Sequence, residues 1–235
     1  MQLLIDFLCV LILALFFWWH RKHTLFSAGT AVVCYLIAFV VALFVSVPLG
    51  RMVDERLIAP VVRTHAANDI ADMYSVEHQK TPEETVQAVD LDQLFADEPQ
   101  ALVDMADRHQ QSLSDLRKTY RLEGAEAFLN LLTGNRSMAF SRALSFGAVF
   151  AVLALVLRLI SKRLEENFPP AVKYRGFKKI LAMTFGLMVG IVMVTAISMI
   201  LSWTIPYGAG RALFLDDVLW KQSFLYQLTS WLHIF

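Results

Sequence analysis

The 24 residues from Ile180 to Trp203 carry no charge, and two lysines, Lys178 and Lys179, stand directly before them. A helix of ~20 apolar residues crosses a hydrocarbon core of ~30 Å. This run therefore commits its part of the chain to a membrane helix. Within it, small residues recur at every fourth position, Ala182, Gly186 and Gly190, a spacing that holds them on one face. Lipid supplies no hydrophobic drive for helix association, so close backbone packing across small residues takes its place. The three positions predict a seam against which another helix lies. Thr195 and Ser198, further along, are placed to donate to carbonyls, most simply their own at i−4.

The rest of the chain agrees with a multi-span membrane protein. It is 57% hydrophobic, with a mean hydropathy of +0.51, too apolar for an ordinary soluble domain. Formal net charge is +0, so there is no overall basic field to attract nucleic acid. Cys9 and Cys34 both fall in apolar runs and make neither a disulfide framework nor a metal spacing.

The predicted fold is all-α, with four transmembrane helices and an amphipathic helical segment inserted between spans two and three. Residues 1–50 form a first hairpin, with spans at 3–19 and 25–49. Trp18 and Trp19 close the first span at the headgroup level. The charges of Arg21 and Lys22 follow the apolar run, the reverse of a signal peptide. The short connection leaves Cys9 and Cys34 each about 15 Å from the turn. The second span is predicted to stop at Pro48 and Gly50. Residues 51–139 form the extramembrane segment; from Arg51 to Arg142 the chain has sixteen acidic and ten basic residues among apolar ones. Thr81-Pro82-Glu83-Glu84 is a helix start: cap, proline at the first position, acid at the third. Asp97-Glu98-Pro99 predicts a second start, and Glu123–Leu132 a third helix stopped by Gly134. Residues 140–204 form a second hairpin, with spans at 140–160 and 180–203. Residues 205–235 form an interfacial amphipathic tail.

Short basic loops face the cytoplasm. Arg21 and Lys22 in one turn, and Lys162, Arg163, Lys178 and Lys179 around the other, lie on the same side of a four-span protein. They place residues 51–139 outside. Arg158 lies near the end of its span, where a long side chain reaches the interface.

Asp6 is the candidate intramembrane polar site, about 21 Å from His20 along the helix, to be weighed as a site between helices or as a polar residue reaching the interface. His20 and His23 lie one turn apart but lack further zinc ligands; they read as basic residues reaching the headgroups. Asp90, Asp92, Asp97 and Glu98 lack the loop glycine of a calcium site. G-x-S-x-G, H-E-x-x-H, P-loop and dinucleotide fingerprints are absent from the sequence. The chain is therefore read as a non-enzyme without cofactor, catalytic residue or metal.

Three places carry a resemblance to the colicin V production (CvpA) family of bacterial inner-membrane proteins. Asp6 heads the first span and is followed by the basic turn His20-Arg21-Lys22-His23, then Thr24-Leu25-Phe26-Ser27. Lys178-Lys179-Ile180-Leu181-Ala182 leads into Gly186 and Gly190. Gln222-Ser223-Phe224-Leu225 follows the last span. His23 stands where the family's turn glycine is usual, Lys178 where an Asn or Asp is usual, and Ala182 where the first seam glycine is usual. The resemblance implies support of colicin V (toxin) production or export and of envelope homeostasis, through a membrane-protein partner or a homo-oligomer in the bacterial inner membrane, without catalysis. The alternative is a subunit of a small oligomeric transporter or channel.

Overall fold

The apolar runs are helices longer than their uncharged lengths. The computed structural model describes residues 2–21, 24–73, 76, 79–89, 103, 106, 111–167 and 175–205, and among them all regular structure is helical. The elements are α1 (Gln2–His20), α2 (Leu25–Val53), a π-helical turn (Asp54–Ile58), α3 (Ala59–Met73), α4 (Pro82–Gln87), α5 (Leu113–Asn167) and α6 (Arg175–Thr204). Three helical stretches are long and apolar enough to cross a membrane: Leu25–Asp72, Leu113–Arg163 and Phe177–Thr204. The described apolar part of α1, Phe7–His20, is shorter. The amphipathic tail and the start at Asp97 lie outside the described residues.

The described residues divide into two compact units, 2–48 with 143–205, and 49–142. In the first, α1 packs along α6. Phe16 and His20 meet Gly186, Leu13 meets Gly190, and Cys9 joins Val194, Leu201 and Ile205, so the two helices run antiparallel. Gly29 meets Phe185, and Ala31 and Val32 cluster with Val189, so α2 runs parallel to α6. Phe146 and Phe150 pack with Ala38, Ala42 and Ala196, and Cys34 reaches the carbonyl of Leu157, which makes α5 antiparallel to α2. Directions thus alternate along the chain, as in an up-and-down bundle.

The second unit has a core of Ile70, Val86, Leu116, Phe128, Leu129 and Leu132, all nearly or wholly buried. Tyr120 packs edge-on to Phe128 with ring centroids 5.8 Å apart. α4 begins at its cap: the Thr81 hydroxyl accepts from the Glu84 amide at 3.2 Å, with Pro82 in the first helical position.

Two predicted helix ends are corrected. Pro48 and Gly50 do not stop the helix that carries the second span; it passes through them and, by the π turn, reaches Met73. Proline removes one ladder bond and is accommodated where neighbouring groups compensate. The Ser46 hydroxyl donates back to Leu43 O at 2.9 Å just before it. Gly50 serves packing instead, since a Cβ there would stand 3.2 Å from the Arg142 Cα. Gly134 likewise does not end a helix. The break falls at Gly124, whose φ of 87° is left-handed, a conformation glycine adopts without a Cβ penalty. Beyond it α5 runs through Gly134 to Asn167. One interior glycine costs about 1 kcal/mol against alanine, less than burial of Phe128 and Leu129 contributes.

Candidate functional site: a glycine seam and a buried carboxylate

The face of α6 bearing Gly186 and Gly190 lies against α1. Ala182 is fully buried. A Cβ on Gly186 would stand 2.7 Å from both the His20 Cβ and the Phe16 carbonyl oxygen. Because one of those neighbours is backbone, the helices would have to separate to admit even alanine. At Gly190 the added Cβ would stand 3.1 Å from a Leu13 methyl and 3.3 Å from the Phe16 Cβ, a contact that a side-chain shift relieves. The spacing of four thus becomes a surface on which α1 rests through Leu13, Phe16 and His20, themselves three and four apart. Thr195 donates to Ile191 O at 2.9 Å, its own i−4 carbonyl.

His20 differs from its sequence reading. It does not reach outward; it is 2% exposed beneath Gly186. Its Nδ1 is 2.9 Å from the Phe16 carbonyl oxygen, and its ring stacks on Phe16. A buried polar ring needs a partner, and the carbonyl one turn back supplies one for Nδ1. Glycine opposite leaves the space.

Of the topology-determining residues, Arg21, Lys162, Arg163 and Lys179 are exposed and Lys178 is half-buried. The alternation of helix direction puts all five toward one end of their unit. The Arg21 guanidinium lies 5.2 Å from the centroid of the exposed Trp18 ring. Lys22 is outside the described residues. Asp6 lies in α1, and its side chain is likewise outside them. Arg158 lies nine residues before the end of α5 at Asn167.

Sequence reasoning missed Asp54. It opens the π turn and is 8% exposed. The fully buried Ser141 hydroxyl donates to its Oδ1 at 3.1 Å. One turn back, Gly50 admits the backbone of Arg142. The inserted residue of a π turn shifts the face that a helix presents, and here it turns a carboxylate inward where an unbroken α-helical register reads as a solvated flank. The only sequence signal is the spacing of four between Gly50 and Asp54. The pair joins one acceptor to one donor and ties the two chain segments of this unit together, at about 1.5–3 kcal/mol for a hydrogen bond to a charged group. Among the described residues no three His, Cys, Asp or Glu side chains are grouped to hold a metal.

The family model described as Colicin V production protein matches residues 120–230. The chain carries a Colicin V production domain. That domain takes in most of α5 and all of α6, including the Ala182, Gly186 and Gly190 face. Asp6 and the His20–His23 turn precede the matched range. No curated protein and no solved structure matches the chain. The domain, together with the apolar helices, makes this an integral membrane protein with several helices in the bilayer.

Proposed function

We propose that this protein supports colicin V production or export, and with it envelope homeostasis, by binding membrane-protein partners or further copies of itself, and that it catalyses no reaction. The observation that carries this reading is the Colicin V production domain over residues 120–230, whose α6 presents a glycine face with no slack against α1 at Gly186. In this reading α1 is a fourth span, at 19 residues about 28 Å long. The basic ends at Arg21, Lys162, Arg163, Lys178 and Lys179 face the cytoplasm of a bacterial inner membrane. The 51–139 segment then lies outside.

The test is complementation of a colicin-V-producing strain deleted for this gene. Gly186→Leu with Gly190→Leu is expected to abolish export, while Gly147→Ala, whose new Cβ meets only the Ile200 methyl at 3.4 Å, keeps it. Full export from the double variant would refute the reading. Orientation has its own test, Gln93→Cys in a chain lacking Cys9 and Cys34. An impermeant maleimide is expected to label it on intact cells. Labelling only after permeabilisation would invert the topology.

A further inference from the structure

The Cys34 thiol donates to Leu157 O at 3.6 Å, which fixes the level of α5 against α2. The Ser161 hydroxyl lies beside the same thiol, and Arg158 follows Leu157 directly in α5. Cys34 is ten residues past Thr24, about 15 Å along a helix. Arg158, one turn inside Lys162, is therefore rooted about 15 Å from the level of Thr24, and it is half-buried. A charge at that depth calls for a countercharge. One turn nearer the basic end stand Lys162 and Arg163, both exposed. Among the described residues none of these three cations makes an ion pair, and the nearest acids along the helix, Glu165 and Glu166, follow all three.

The same side of α5 is apolar toward the middle of the helix. Val152 is 60% exposed, Leu155 64% and Leu159 58%. Their spacing of three and four continues into Lys162 and Arg163, so one stripe reads apolar and then cationic toward the basic end. That sequence of surfaces fits an amphiphile with a negative head and hydrocarbon tails. We propose that this face of α5 binds an anionic phospholipid, the phosphate held by Arg158, Lys162 and Arg163 and the acyl chains lying along Val152, Leu155 and Leu159. Cations between membrane helices recognise lipid phosphates through the same chemistry elsewhere. The proposal needs only that the protein resides in a bilayer, and it stands apart from any role in export.

The test is native mass spectrometry of the full chain in detergent, titrated with phosphatidylglycerol or with phosphatidylethanolamine of the same acyl chains. Phosphatidylglycerol is expected to bind selectively. With about 1 kcal/mol per cation, Arg158→Gln with Lys162→Gln and Arg163→Gln weakens that binding on the order of 100-fold. Lys162→Arg with Arg163→Lys retains it, and Lys178→Gln with Lys179→Gln leaves it unchanged. Equal affinity for the two lipids, or an equal loss in the Lys178 and Lys179 variant, would overturn the site. Inorganic phosphate alone is expected not to displace the lipid; displacement would assign a free-anion site instead. A readout independent of variant folding uses the unmodified protein. Photoreactive phosphatidylglycerol should label residues 152–163 above the exposed α1 face at Phe7 and Leu11, and even labelling of both overturns the proposal.

Discussion

The two units of this chain solve burial in opposite ways. In the unit of α1 and α6, the wholly or nearly buried positions include Ala28, Ala38, Ala42, Ala182 and Ala196, with Ser46 and Ser198. Large side chains there point outward: Phe44 is 77% exposed, Phe177 70% and Ile180 66%. Phe146, fully buried and stacked on Phe150, is the principal exception. In the unit of residues 49–142 the pattern reverses, with Ile70, Leu116, Phe128, Leu129 and Leu132 buried. The two patterns are those that hydrocarbon and water respectively favour. Water drives large apolar groups inward, whereas hydrocarbon is indifferent to them and leaves close backbone packing to hold helices together. The change of pattern falls within single helices, at Pro48 in α2 and Arg142 in α5.

That contrast predicts which kind of substitution each unit resists, read as thermal unfolding of the full chain in detergent. The largest effect belongs to truncation in the water-type core. Phe128→Ala should destabilise by about 3–5 kcal/mol, and an effect below that of any surface change would remove the distinction. Next come changes that disturb close contacts. Gly186→Ala forces a Cβ against the Phe16 carbonyl and should cost about 1–3 kcal/mol. Gly190→Ala, facing a movable methyl, should cost less; a reversed order would show that side chains rather than backbones set the seam. Ser141→Ala, which strips the buried Asp54 of its donor, should cost about 1.5–3 kcal/mol, with Asp54→Asn milder because the amide oxygen still accepts. Gly134→Ala meets nothing within 4 Å and should raise stability by about 1 kcal/mol through helix propensity. The smallest change is expected at the lipid face: Leu155→Ala should stay within about 0.5 kcal/mol, and a loss like that of Phe128→Ala would mean that the residue packs inside.

The sequence by itself determined that long apolar helices exist, because uncharged length is a local property and crossing hydrocarbon requires it. It also determined the face carrying Ala182, Gly186 and Gly190, since helical periodicity alone puts them together. The Thr81 cap was legible for the same reason: its bond spans only three residues. Helix ends were not. Proline at 48 and glycines at 50 and 134 read as stops by propensity, and packing against sequence-distant residues overrode them, while the actual break at Gly124 shows only in its backbone angle. Which helix rests on the seam, the burial of His20 beneath it, and the meeting of Asp54 with Ser141 across 87 positions were decided by tertiary structure. Each depends on contacts between segments far apart in the chain, and in the last case on a π turn whose extra residue rotates a carboxylate inward.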